Sequence, residues 1–122
     1  MLASTLNEFP RGAEVQSVTY DLKTLVVRTG VGPTLRFKAV IGFRFLDEGD
    51  LLEFWPSCSA KCGGLFEIHD GGWLQQEGQR SGFISTANRE GVREFLVTGP
   101  DGCLSVLSFH PPEIDVESPR VL

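Results

Sequence analysis

Long apolar runs are missing from this sequence, and so is an excess of positive charge. The longest apolar stretches, Leu25-Val26-Val27 and Ala39-Val40-Ile41-Gly42-Phe43, fall far short of the roughly 20 residues that span a bilayer as a helix. Eleven Lys and Arg stand against sixteen Asp and Glu, a formal net charge of −5. A nucleic-acid binder of this size carries a basic footprint, so that class is disfavoured. Cysteine is scarce as well: Cys58, Cys62 and Cys103 are an odd count, which leaves one thiol over from any complete disulfide framework. The first residues have neither a basic stretch nor an apolar core of the secretory kind. The cytoplasm, where thiols stay reduced, is the expected compartment.

What is present is enough for one core. The 122 residues are 41% hydrophobic and 10% aromatic, which excludes a disordered tail and fits a single domain over 1–122. Pro10 and Gly12 interrupt a polar lead-in, so residues 1–14, like 118–122, are expected to be loosely ordered ends.

Strand signals dominate the rest. Val15–Tyr20 and Leu25–Thr29 flank a polar Asp21–Thr24 turn and read as a hairpin. Leu35, Phe37, Ala39, Ile41, Phe43 and Phe45 all fall on odd positions, which predicts one long strand with a buried face. Arg36, Lys38 and Arg44 lie on its wet face. Asp50-Leu-Leu-Glu53 has the form of a capping box and predicts a short helical segment near 50–55, stopped before Pro56. Leu65–His69 reads as a strand, and the polar stretch Gln75–Ser81 as a loop. Val92–Thr98 and Cys103–Phe109 flank Gly99-Pro-Asp-Gly102, which is turn chemistry between two strands. His110-Pro-Pro112 ends the last long strand, and 113–117 reads as a short edge strand. The expected fold is mainly β: a twisted antiparallel sheet closing toward a small sandwich or incomplete barrel, with α+β as the alternative.

Charge is distributed unevenly. Residues 1–46 hold six basic and three acidic groups, net +3, while 47–122 hold five and thirteen, net −8. The densest acidic run, Asp47, Glu48, Asp50 and Glu53, lies beside Phe54 and Trp55. Carboxylates around an aromatic anchor suit a basic protein partner, through steering and a buried contact. Glu67 and Asp70 are outer candidates for the same surface.

Catalytic signals are thin. There is no G-x-S-x-G elbow, and only His69 and His110 are available as bases. His69 and Asp70 are adjacent in a strand and point to opposite faces. Cys58-x₃-Cys62 lacks the second ligand pair of a structural zinc site, so no metal and no cofactor is expected. A small-ligand pocket or active site near His69, Trp73 and His110 is the alternative to protein binding.

The segments Val40–Trp55 and Arg93–Leu107 resemble those of a loose group of small uncharacterised bacterial proteins. In size, acidity and absence of catalytic motifs the chain is similar to bacterial immunity proteins, which neutralise antagonistic toxins. That resemblance implies a non-enzymatic antagonist that covers a basic cleft of a toxin. Self-association through an exposed edge strand is a further expectation.

Overall fold

The computed structural model describes residues 2–47, 54–58, 60, 62–83 and 91–116. Its elements, in chain order, are β1 (Leu2–Glu8), β2 (Ser17–Tyr20), β3 (Leu25–Arg28), β4 (Thr34–Phe37), β5 (Val40–Asp47), β6 (Gly64–Asp70), α1 (Trp73–Gly78), β7 (Arg93–Val97), β8 (Gly102–Ser108) and β9 (Glu113–Asp115). They form a five-stranded sheet of order β1-β6-β7-β8-β5 and a four-stranded sheet of order β2-β3-β4-β9. Every strand pairing is antiparallel. Neither sheet closes into a barrel among the described residues.

The two sheets pack face to face. Leu25, Val27, Leu35 and Phe37 of the four-stranded sheet share one buried cluster with Leu65, Phe95, Val97, Leu104 and Val106 of the five-stranded sheet. Phe37 and Phe95 meet across the layer with ring centroids 5.7 Å apart. The outer face of the five-stranded sheet has its own cover. Phe66, Ile68, Leu96 and Cys103 pack there against Phe54 and Cys58. The central strands are therefore apolar on both faces, and β8 is buried at all seven positions. Such strands read as continuous apolar runs and lose the alternation of a half-wet strand.

Both hairpins expected from the sequence form. β2 pairs with β3 across the Asp21 turn, and β7 pairs with β8 across Gly99–Asp101. Asp21 Oδ1 accepts the backbone N–H groups of Lys23 and Thr24 at 2.9 and 2.8 Å, which closes the first turn locally. The short edge strand expected near the C-terminus is β9, paired with β4.

Three expectations are corrected. Residues 2–8 are not a loose lead-in: they are β1, paired along β6, and Phe9 and Ala13 enter the core just after it. A polar edge strand carries little periodicity of its own; its partner supplies the order. The long strand over 35–46 is two strands. The chain leaves one sheet after Phe37 and joins the other at Val40, with a register shift between Val40 and Gly42. Odd parity keeps Leu35 and Phe37 buried, but Phe43 and Phe45 are exposed. Finally, the first part of the stretch read as a loop over Gln75–Ser81 is helical: residues 75–78 belong to α1, while 79–81 are turn and bend. Leu74, Gln75, Gln76 and Glu77 are good helix formers, and the group that caps them comes from a distant strand. The helical segment expected near 50–55 lies mostly outside the described residues; Phe54 is buried and begins a turn.

Candidate functional site

β5 is an edge strand of one sheet and β2 an edge strand of the other. Phe43 lies opposite Val106 and Phe45 opposite Leu104, so both rings point to the side that carries the inter-sheet core. The four-stranded sheet does not extend over them. Phe43 meets Tyr20 of β2 edge-on, with centroids 5.5 Å apart. Tyr20, Phe43 and Phe45 remain 41%, 39% and 52% exposed. Leu22, at the tip of the adjoining turn, is 83% exposed and has φ +77°. A non-glycine residue in the left-handed region costs roughly 1–2 kcal/mol, so an apolar tip is held in water at an energetic cost. Phe45 also lies over Gly102: a Cβ at that position would sit 2.3 Å from the ring. The absent side chain on β8 gives the ring its seat.

Among the described acidic candidates, Asp47, Glu67 and Asp70 do not share one surface. Asp47 ends β5, pairs with Gly102 and is exposed on the same side as Phe43 and Phe45. Glu48, Asp50 and Glu53 follow it in sequence and lie outside the described residues. Trp55 is half-buried and packs on the outer-face cluster, so its ring belongs to the core cover. Glu67 is buried on β6. Arg93 donates to it through Nε at 2.6 Å and Nη2 at 2.7 Å, which holds its carboxyl below the usual glutamate range. Asp70 ends β6. Because β6 and β5 run in opposite directions within one sheet, Asp70 and Asp47 sit at opposite ends of it.

Pairing within the fold also reduces the charge asymmetry of the sequence. Arg36 pairs with Asp115, and Lys38 with Glu113 at 2.6 Å. Arg36 of β4 and Lys38 just after it are thus met by the acids of β9. These pairs are exposed and contribute roughly 1 kcal/mol or less each.

The second candidate region is the end of the sheet where β6 meets α1. α1 has no side-chain cap of its own at Gly72. Instead Glu94 of β7, only 1% exposed, accepts the N–H groups of Trp73 at 3.1 Å and Leu74 at 2.8 Å. Burial pushes the Glu94 carboxyl above the usual range, opposed by those two N–H bonds and by the Arg44 guanidinium. Arg44 itself stacks over the Trp73 ring, 4.8 Å from its centroid. Trp73 Nε1 and Arg80 Nε donate to Glu77, whose carboxyl lies below the usual range, Arg80 being the larger cause. Ser4 Oγ and His69 Nε2 are hydrogen-bonded at 2.8 Å across β1 and β6. A cleft of about 180 Å³ runs from His69 and Asp70 to Glu94. His110 is at the same end of the sheet but does not line it; its N–H is turned back to Ser108 Oγ.

No protein family, curated protein or solved structure matches the chain.

Cys58, Cys62 and Cys103 form no disulfide, and Cys58 and Cys103 lie in the outer-face cluster. Among the described residues no group of three or more His, Cys, Asp and Glu could hold a metal ion. No helix among them is long and apolar enough to cross a membrane.

Sequence reasoning missed the aromatic strip because parity placed Phe43 and Phe45 in the core. The missed signal is Gly42: a glycine inside a strand marks a bulge or a close backbone approach. The Glu94–helix contact spans twenty residues and has no local sequence signal.

Proposed function

We propose that the chain is a non-enzymatic protein-binding module that docks through the open side of the sandwich. The observation that carries this reading is the strip of Tyr20, Leu22, Phe43 and Phe45, left exposed where the two edge strands meet. Scattered apolar residues on a surface need no explanation, but adjoining aromatics at the join of two sheets do. Large rings at a patch centre supply most of the energy of typical interfaces.

Asp47 continues the strip, and the acids at 48, 50 and 53 follow it in sequence. The favoured partner is therefore a basic protein surface, met by rings at the centre and carboxylates beside them. A bacterial immunity protein that covers the basic cleft of a toxin fits this description, and the cytoplasm is its expected place of action. Relative to the reading from sequence alone, the anchor moves from Trp55 to Phe43 and Phe45. Glu67, held by Arg93, and Asp70, at the other end of the sheet, are no longer part of the proposed docking surface.

The test uses a partner retained by the immobilised chain, with its affinity then measured against variants. Phe43→Ser with Phe45→Ser should weaken binding by about 30-fold or more, the loss of one strong anchor. Charge reversal at Asp47, Glu48, Asp50 and Glu53 should slow association, most at low salt. Unchanged affinity in both sets would overturn the proposal. If the retained species is a second copy of the chain paired along β5, light scattering will show a dimer and the hetero-partner reading fails.

A further inference from the structure

We propose that the outer edge of β4 docks an extended acid–apolar–acid segment of a partner protein. β9 is then the chain's own stand-in, a strap that occupies this edge until it is displaced. The edge lies on the far side of the four-stranded sheet from β2. It is therefore separate from the aromatic strip and does not depend on the reading of that strip.

The recognition chemistry is read from what sits there. β9 pairs antiparallel with β4: Asp115 lies opposite Thr34, Ile114 opposite Leu35 and Glu113 opposite Arg36. Directly opposed residues of an antiparallel pair share a face. Ile114 is therefore on the core side, at the rim beside the buried Leu35, while Glu113 and Asp115 are on the wet side with Arg36. There Arg36 pairs with Asp115, and Lys38 with Glu113. A segment that replaces β9 has to repeat this order: backbone for the ladder, one apolar side chain inward, and a carboxylate before and after it.

The strap is built to leave. Every residue of β9 is exposed, and none belongs to the inter-sheet core, to which β4 itself contributes Leu35 and Phe37. Its opening breaks a short ladder and two exposed ion pairs and leaves the buried cluster whole. Segments with few buried apolar contacts and solvent-exposed hydrogen bonds open below the global unfolding transition. Pro112 is buried and anchors the chain where the strap begins, so an open strap stays beside its edge and recloses. A short tether gives an effective concentration on the order of millimolar, and a free segment of the same sequence competes in that range.

The test is backbone amide hydrogen exchange, read by NMR on the full chain. The β4 amides turned toward β9 should exchange at least ten-fold faster than those of β8. Glu113→Lys with Asp115→Lys, at two exposed positions, should speed them about ten-fold more and leave β8 unmoved. Adding Arg36→Glu with Lys38→Glu should restore their protection, which separates a lost latch from a damaged fold. The probe is the free peptide Pro-Pro-Glu-Ile-Asp-Val, the sequence of residues 111–116, blocked at both ends. It should bind the unlatched variant saturably and slow exchange of the same amides, while a peptide with lysine for both acids should not. The proposal is overturned if these β4 amides exchange only together with β8. It is also overturned if the probe leaves the unlatched variant unmoved, or if the lysine peptide protects it equally. A concentration-dependent dimer of the original chain, seen by light scattering and abolished by the unlatching pair, would make a second copy the occupant and overturn the partner assignment.

Discussion

Tyr20 and Phe43 meet edge to face across the two sheets, 5.5 Å between ring centroids, on the one side of the sandwich where both rings stay partly in water. The contact is a seam between edge strands, unlike the buried Phe37–Phe95 contact at the centre. Their energetics should differ accordingly. Tyr20→Ala should cost about 1 kcal/mol of stability, the scale of a single aromatic pair. Phe95→Ala should cost about 3–5 kcal/mol, because it opens a cavity in the closed core. Urea denaturation of the two variants checks the ranking, and equal losses would contradict the assignment of the seam as surface.

Glu67 and Arg93 make acid stability depend on one pair. The hydrogen bonds from Arg93 hold the Glu67 carboxyl below its ordinary value in the folded chain. The contribution is therefore complete above the unfolded glutamate value and is lost as pH falls through the lower, folded one. Arg93 is 40% exposed on its side chain, so solvent reduces the effect, and Glu67→Gln should cost about 1–2 kcal/mol at neutral pH. Denaturation midpoints measured from pH 7 down to pH 3 should fall less steeply for the variant.

Glu94 works in the opposite direction and in a different window. Burial raises its carboxyl in the folded state, so the folded chain holds that proton more tightly than the unfolded one. Its contribution is greatest below the unfolded glutamate value and is lost as pH rises to the folded value. Glu94→Gln should remove this decline. With one acceptor oxygen in place of two, it should also speed hydrogen exchange at the Trp73 and Leu74 amides. Slow exchange at both amides in the variant would show that α1 does not depend on this cap.

The thiols should separate by burial. Cys58 is buried and its thiol is pushed up to about 11, chiefly by desolvation. Cys103 is buried with it, whereas Cys62 is only half-buried. Iodoacetamide at pH 8 should label Cys62 first, and the other two only on unfolding, as mass spectrometry of the peptides will report.

Leu22 carries backbone strain in exchange for an exposed apolar tip. Leu22→Gly removes the Cβ clash at φ +77° and should change stability by no more than about 1 kcal/mol, toward greater stability. If the tip belongs to the docking strip, the same variant should bind the partner less tightly. Gain in stability with loss of affinity is the pattern expected of a residue kept for contact.

The sequence made local features legible and hid the non-local ones. The two hairpins, the β9 edge and the break at His110-Pro111-Pro112 were readable because turn chemistry lies in adjacent residues. β1 was unreadable because its order comes from β6, sixty residues away. Parity over 35–46 described two strands in two sheets as one, since a crossover at Lys38–Ala39 leaves alternation intact while changing what each face meets. Of the outer acidic candidates, Glu67 is committed to Arg93 and Asp70 lies at the far end of the sheet from Asp47, neither of which local sequence reveals. A pocket near His69, Trp73 and His110 was expected, and the cleft is lined by His69 but by neither of the others; the place of Glu94 in it was not legible, because Glu94 reads as one of many strand acids until the fold places it under α1.

The central claim is that the open side of the sandwich binds a basic protein. The most direct measurement is partner capture from the native host by four immobilised forms compared quantitatively: the original chain, Phe43→Ser with Phe45→Ser, Asp47→Lys, and Asp70→Asn. The account predicts one basic protein held by the original chain and by Asp70→Asn, at least ten-fold depleted on the double serine variant and reduced on Asp47→Lys. Equal retention on the double serine variant, with its fold intact, would contradict it.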